Sequence, residues 1–156
     1  MQLGLRCIEH GNLIDASSVE LFREHDAFLV PTLVTYDYLS KEGAEAGLPE
    51  ASQAKVGDVL EAGLHALDLA TRGGVKIALG TDLLGAMHRH QSQEFAIRAQ
   101  VQQPQDILRS ATLVGADLLG WPGRWAPWRR ARPPTWRCGA ATRWRTPRCW
   151  PTPRPS

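Results

Sequence analysis

The sequence predicts an α/β fold with parallel strands, and three observations predict it. Short apolar runs alternate with stretches of helical periodicity, in the order strand, helix, strand, long loop, helix, strand. Two of these runs stop at a glycine and present a polar side chain, His10 before Gly11 and Asp82 shortly after Gly80. The residues just past a strand's C-terminal end are a favoured place for chemistry in such folds. The chain is also short: its 156 residues suit one modest core, whereas eight strands with their helices take about 250. Three parallel strands leave two bare edges, which invite pairing or self-association, so the chain reads as the back part of something larger.

Leu3 to Ile8 reads as the first strand, running into Glu9-His10-Gly11, and residues 12–15 read as a loop. Asp15 or Ser17 can cap the following helix, and Glu20 stands three residues after Ser17, the spacing of a capping box. Val19, Leu21 and Phe22 give that helix its apolar side. Residues 27–30, Ala-Phe-Leu-Val, form the next strand, and Pro31 ends its ladder. Residues 32–38 then run on as a loop or short helix. Residues 40–50, with Gly43, Gly47 and Pro49, read as an exposed excursion with the character of a lid.

From Glu50 to Arg72 the residues Val56, Val59, Leu60, Leu64, Leu67 and Leu69 recur near helical spacing, and Gly73-Gly74 stops the run. A strand at 75–79 follows at once, then Gly80-Thr81-Asp82 and a polar loop over 83–91. Ser92 is placed to cap a short helix over 94–98, and Pro104 opens another through Ile107, Leu108, Ala111, Thr112 and Val114. Residues 115–120 close the ordered-looking region.

Charge divides the chain at this point. The whole-chain net charge of +2 hides a segment 1–120 near −7 and a segment 121–156 at +9. The latter holds nine Arg, all six Trp and eight of the 11 Pro, with no acidic residue. The overall pI is therefore poor grounds for nucleic-acid binding. No apolar run approaches the roughly 20 residues that cross a bilayer, and no basic n-region precedes a long apolar core. Cys7, Cys138 and Cys149 make an odd count without a close pair, which favours a reducing, cytoplasmic setting. The glycines form no phosphate-binding pattern.

Asp82 is the first candidate for chemistry. A carboxylate at a strand end can bind a divalent metal or act as general base, or else merely cap a turn. His10 is the second: a neutral imidazole suits zinc, and the plain alternative is a histidine hydrogen-bonded near a turn. The two can share one metal ion across neighbouring strand ends. Glu9 alternates away from His10 along an extended strand and is not expected to face the same site. His88 and His90 flank Arg89, and this loop suits either a metal clip or, better, contact with a substrate carboxylate; a solvated loop is the plain reading. Tyr36, just after a strand end, can hydrogen-bond a substrate or stand as a surface tyrosine.

Ile8-Glu9-His10-Gly11, Val30-Pro31-Thr32-Leu33, Leu79-Gly80-Thr81-Asp82 and His88-Arg89-His90-Gln91-Ser92, in that order and spacing, resemble the amidohydrolase superfamily. The closer likeness is to its prolidase-like and imidazolonepropionase-like branch. Residues 104–120 resemble that family's helix after the last barrel strand, so the likeness covers about residues 3–120. The resemblance implies a (β/α)8 barrel, here about its last three β/α units, with a one- or two-metal centre, zinc by expectation. His10 matches the metal histidine ending strand six. Asp82 matches the aspartate ending strand eight, which binds metal and takes the proton from the attacking water. Tyr36, His88, Arg89 and His90 are the implied substrate contacts, with a dipeptide or other amide as the implied substrate. The family's remaining metal ligands have no counterpart in this chain, which implies weak metal binding and an inactive isolated chain. A non-catalytic α/β interaction module is the rival reading.

Residues 121–156 do not continue the resemblance. GC-rich codons chosen for Arg132 to Arg137 read Pro-Ala-Asp-Leu-Ala in another frame, a phrase suited to the family's small β-sandwich. The segment is expected to be a disordered or out-of-frame tail. Its rival is a basic arm gripping nucleic acid through Arg and Trp.

Overall fold

The computed structural model describes residues 1, 3–45 and 47–122, together with the backbone of two short strands at 136–138 and 149–151. Contacts divide the chain into Met1–Ala126 and Pro127–Ser156. In the second unit, Trp136–Cys138 pairs antiparallel with Cys149–Pro151. The rest of that unit, and with it most of the tail expectation, lies outside the described residues.

The first unit is built on a three-stranded parallel sheet. Strand β1 (Cys7–Glu9) pairs with β2 (Phe28–Val30), and β2 pairs with β3 (Lys76–Ile77), in the spatial order β1-β2-β3. The register sets Ile8 opposite Leu29 and Leu29 opposite Ile77. Helix α1 (Ala16–Glu24) makes the first crossover, and α2 (Leu33–Glu42) with α3 (Glu50–Arg72) makes the second. The expected alternation of strands and helices is present. Both β1 and β3 keep one side unpaired among the described residues.

The strands are shorter than the sequence suggests. Leu3 and Gly4 bend in a turn, with Gly4 at φ 83°, so that β1 begins only at Cys7, and the β3 ladder ends at Ile77 although Ala78 N–H still reaches Leu29 O at 2.9 Å. The α1 cap is Asp15, not Ser17. Asp15 Oδ1 accepts from the Ser18 N–H and hydroxyl and from the Ser17 hydroxyl. These donors, Ser18's first, hold the Asp15 carboxyl down to about 2.

Of the two readings for residues 32–38, loop or short helix, the helix is present and runs on to Glu42 as α2, into the expected excursion. Leu33 and Val34 are fully buried, and that tertiary anchoring supplies what the weak periodicity of this stretch lacks. The excursion shrinks to residues 43–49. Helix α3 has the bounds its periodicity predicts. Its Leu67 and Ala70 pack with Val19 and Phe22 of α1, Leu29 and Ile77 of the sheet, and Leu33 of α2.

Beyond β3 come a 3₁₀ segment (Gly85–His90), helix α4 (Gln93–Arg98) and helix α5 (Pro104–Arg109). Ser92 makes no side-chain cap bond. The single helix expected from Pro104 to Val114 is interrupted: residues Ser110–Val114 form a π turn before α6 (Gly115–Leu118). Ser110 is buried there and its carbonyl receives the Leu79 N–H at 3.3 Å. A widened turn thus serves the strand beside it, which helical periodicity cannot reveal. Among the described residues no helix is long and apolar enough to cross a membrane.

Candidate metal centre

Both sequence candidates stand at the C-terminal end of the sheet. His10 extends the β1 ladder by one bond, its N–H donating to Val30 O at 2.9 Å, and then turns sharply with φ 65°. Asp82 follows β3 with φ 49°. Left-handed backbone costs a non-glycine residue roughly 1–2 kcal/mol, least for short polar side chains. Asp26, also left-handed at φ 49°, turns the chain at the opposite end of the sheet, so the conformation alone does not mark a site. What distinguishes His10 and Asp82 is that both turns aim polar groups at the same space.

That space is an open cavity of about 240 Å³ lined by Glu9, His10, Val30, Thr32, Gly80, Thr81 and Asp82. His10 Nε2 lies 3.9 Å from Asp82 Oδ2, with the two side chains 43% and 54% exposed. His10 Nδ1 lies 2.7 Å from Thr32 Oγ1, and the Tyr36 ring stands edge-on to the imidazole with centroids 6.1 Å apart. Glycine gives close packing at position 80, since a Cβ there would meet Val30 Cγ1 at 2.4 Å unless one of them shifts.

Glu9 contributes to the cavity wall, while its carboxylate turns toward Cys7, two residues back on the same face of β1, in keeping with strand alternation. The Glu9 carboxylate accepts from the Cys7 thiol at 2.9 Å. Burial, then this hydrogen bond and the Glu9 charge, push the thiol up to about 12, which favours the protonated form.

The separation of 3.9 Å is too long for a hydrogen bond; two donors at about 2.0–2.2 Å from one tetrahedral cation stand roughly 3.4 Å apart, so a side-chain adjustment of about half an ångström would let this exposed pair share one. The tautomer that donates from Nδ1 to Thr32 leaves the Nε2 lone pair facing Asp82, the usual way a second contact orients a metal histidine. The donor chemistry therefore fits a divalent metal as part of a ligand set. Among the described residues no group of three His, Cys, Asp or Glu side chains is placed to complete one.

His88, Arg89 and His90 do not line the cavity. His88 is exposed. Arg89 Nη2 donates to Glu42 Oε2 at 2.6 Å and Nη1 to the Ala86 carbonyl at 2.8 Å. His90 Nε2 sits 2.9 Å from Glu42 Oε1, while its ring stacks on Tyr38 at 3.6 Å between centroids. Glu42 thus gathers two of the three loop residues against the end of α2.

Sequence reasoning missed Thr32, Glu94 and Arg98. Glu94 and Arg98 are fully buried on α4. Glu94 Oε2 accepts the Val34 N–H at 2.8 Å, and Arg98 donates to Gln102 Oε1 at 2.8 Å and to the Ala78 carbonyl at 3.3 Å. Burial raises the Glu94 carboxyl to about 7 against the pull of the Val34 N–H, the Arg98 charge and the Leu33 N–H. Burial likewise lowers Arg98 to about 10, opposed by the Glu94 charge. A Glu and an Arg four apart ordinarily read as an exposed helix pair. The signal available was Thr32 itself, a good capping residue directly before a helix.

Residues 2–126 match the family described as the amidohydrolase family. A Mycobacterium tuberculosis H37Rv protein described as uncharacterized is 32% identical over 122 residues, covering 77% of this chain and 33% of that protein. A Mycobacterium bovis counterpart gives the same values. Among solved structures, an amidohydrolase is similar with TM-score 0.76 and 50% identity over 80% of this chain and 30% of its own. A prolidase complexed with N-methylphosphonate-L-proline gives TM-score 0.78 and 48% identity over 82% and 31%. A Xaa-Pro dipeptidase with methionine bound in its active site gives 0.69 and 26% over 80% and 31%. The chain spans about a third of the length of these relatives.

Proposed function

Since the chain belongs to the amidohydrolase family, and its sheet is part of that family's (β/α)8 barrel, we propose that it carries the His10 and Asp82 portion of a metal-dependent centre that hydrolyses an amide or peptide C–N bond. The observation that carries this reading is the convergence of His10 Nε2 and Asp82 Oδ2, 3.9 Å apart, at one end of a parallel sheet. The similarity to a prolidase and a Xaa-Pro dipeptidase supports dipeptides as the substrate class.

His10 through Nε2 and Asp82 through Oδ2 are the residues that would hold a divalent cation, zinc by the donor types. Such a cation makes a bound water acidic and polarises a carbonyl. The Asp82 carboxylate accepts the proton of the attacking water and delivers it to the departing nitrogen. It can do both because it is half exposed and reaches the cavity from a fixed turn. With Thr32 Oγ1 accepting from Nδ1–H, the imidazole takes the tautomer that leaves Nε2 free to bind a metal. Tyr36, beside the imidazole, is the nearer of the proposed substrate contacts. Arg89, 55% exposed although bonded to Glu42, remains the group in its loop best suited to a substrate carboxylate.

Two ligands do not fix a cation tightly enough to aim a water at a carbonyl. The isolated chain therefore binds zinc weakly and is inactive. Isothermal titration with Zn²⁺, together with assay of the zinc-treated chain against a panel of Xaa-Pro and other dipeptides, tests both statements. Weak binding that His10→Ala and Asp82→Asn each abolish is expected, without turnover. Turnover at ordinary enzyme rates, or zinc binding indifferent to both substitutions, overturns the reading.

A further inference from the structure

Helix α2 begins with an anomaly. Its N-cap is Thr32, a residue type whose hydroxyl ordinarily accepts the N–H of the second or third helical residue. Here Thr32 makes no side-chain cap bond. Its Oγ1 is instead 2.7 Å from His10 Nδ1. The orphan N–H of Val34, the second helical residue, is taken by Glu94 Oε2 at 2.8 Å, from a helix sixty positions along the chain. A buried N–H without an acceptor costs about 1–3 kcal/mol; Glu94 serves it here, and the N-cap position of Thr32 makes its hydroxyl the ordinary alternative.

We propose that Glu94 is a positioning residue for the metal centre: by capping α2 in place of Thr32, it releases the Thr32 hydroxyl to orient His10. The same helices secure the other side of the site. In the first turn of α2, Thr35 Oγ1 donates to the Thr81 carbonyl at 2.6 Å, one residue before Asp82. One turn beyond Glu94, Arg98 donates to the Ala78 carbonyl at the end of β3. Arg98 is itself tied through Gln102 to Thr71 of α3. The α4 pair therefore ties the start of α2 to the end of β3, and Glu94 decides which partner Thr32 keeps. With that acceptor removed, Thr32 turns to the Val34 N–H and His10 Nδ1 loses its contact.

The consequence for metal binding rests on the reading of His10 as a ligand; the exchange of partners at Thr32 does not. The two are separated by reading the exchange without metal. The test records the imidazole ¹⁵N signals of His10 in the metal-free, full-length chain as wild type, Glu94→Met, Glu94→Gln and Thr32→Val. Met fills the space without an acceptor, whereas Gln keeps one. Glu94→Met is expected to shift the His10 tautomer signals to the Thr32→Val position, and Glu94→Gln to retain the wild-type position. The double variant should match either single one. His10 signals unchanged in folded Glu94→Met overturn the proposal. Should that variant fail to fold, the wild-type chain decides: a scalar coupling between the Val34 amide ¹⁵N and the Glu94 carboxyl ¹³C is required, and its absence overturns the proposal equally. Zn²⁺ titration of the same variants then addresses the ligand reading, with affinity expected to fall ~10-fold or more in Glu94→Met, the usual effect of losing an outer partner.

Discussion

His10 Nε2 and Asp82 Oδ2 approach to 3.9 Å although 72 positions separate the residues, and both reach that point through a left-handed turn at a strand's end. Neither turn is glycine, so each holds a conformation that the local chain disfavours. The surrounding contacts maintain it: the Val30 carbonyl receives the His10 N–H, and Thr35 anchors the Thr81 carbonyl just before Asp82.

The backbone at Asp82 separates charge from conformation. Asn tolerates left-handed backbone nearly as well as Asp, whereas a β-branched residue does not. Asp82→Asn should leave urea unfolding within about 0.5 kcal/mol of wild type while abolishing zinc binding by calorimetry. Asp82→Val should do the same to zinc and in addition destabilise the chain by about 1–2 kcal/mol.

Gly80 offers a steric test of the cavity. A methyl group there would press on Val30 Cγ1, and β-branched Val30 has little rotamer freedom with which to move aside. Gly80→Ala is expected to cost about 1–3 kcal/mol in chemical denaturation. Pairing it with Val30→Ala should recover part of that loss, and additive effects would show that the two side chains do not meet.

The pH dependence of stability should carry the mark of Glu94. Its folded carboxyl is raised from 4.5 to about 7, so between those values the folded chain binds more protons than the unfolded one. The Glu94 contribution is accordingly most favourable below about 4.5, declines as pH rises through 7, and is constant above. Glu94→Gln removes this slope. The stability difference between variant and wild type, followed by urea unfolding from pH 4.5 to 8, should move steadily in favour of the variant up to about pH 7. A flat difference would contradict the burial-driven shift.

The nucleotide sequence tests the reading of residues 121–156 as an out-of-frame continuation. The alternative frame downstream of the codon for Gly120 is expected to encode a glycine- and valine-rich segment free of the Arg, Trp and Pro bias seen here. A stop codon or an equally biased composition in that frame would remove the idea.

Periodicity made α3 legible from end to end, since a run of 23 residues has enough apolar positions to define a face. Helix α2 was half legible, because the contacts that stabilise it come from Leu33 and Val34 against the core rather than from a stripe along its length. The π turn at Ser110 was not legible, since its carbonyl serves a strand that lies thirty positions earlier. Along the sequence Glu94 and Arg98 belong to an ordinary short helix. Nothing local distinguishes a buried pair from a solvated one.

From the order of residues alone came the parallel alternation, the identity of His10 and Asp82 as strand-end groups, and the likeness to amidohydrolases. The first two are local, written in apolar spacing and in residues close to a glycine, and the likeness rests on four short motifs in a recognisable order. Only the folded chain decided that Thr32 faces His10, that Glu94 caps the helix Thr32 leaves uncapped, that Glu9 borders the cavity, and that Glu42 draws Arg89 and His90 together. Each of those is a choice among competing hydrogen-bond partners. Such choices are settled by which groups packing brings within about 3 Å, a distance that no spacing along the chain records.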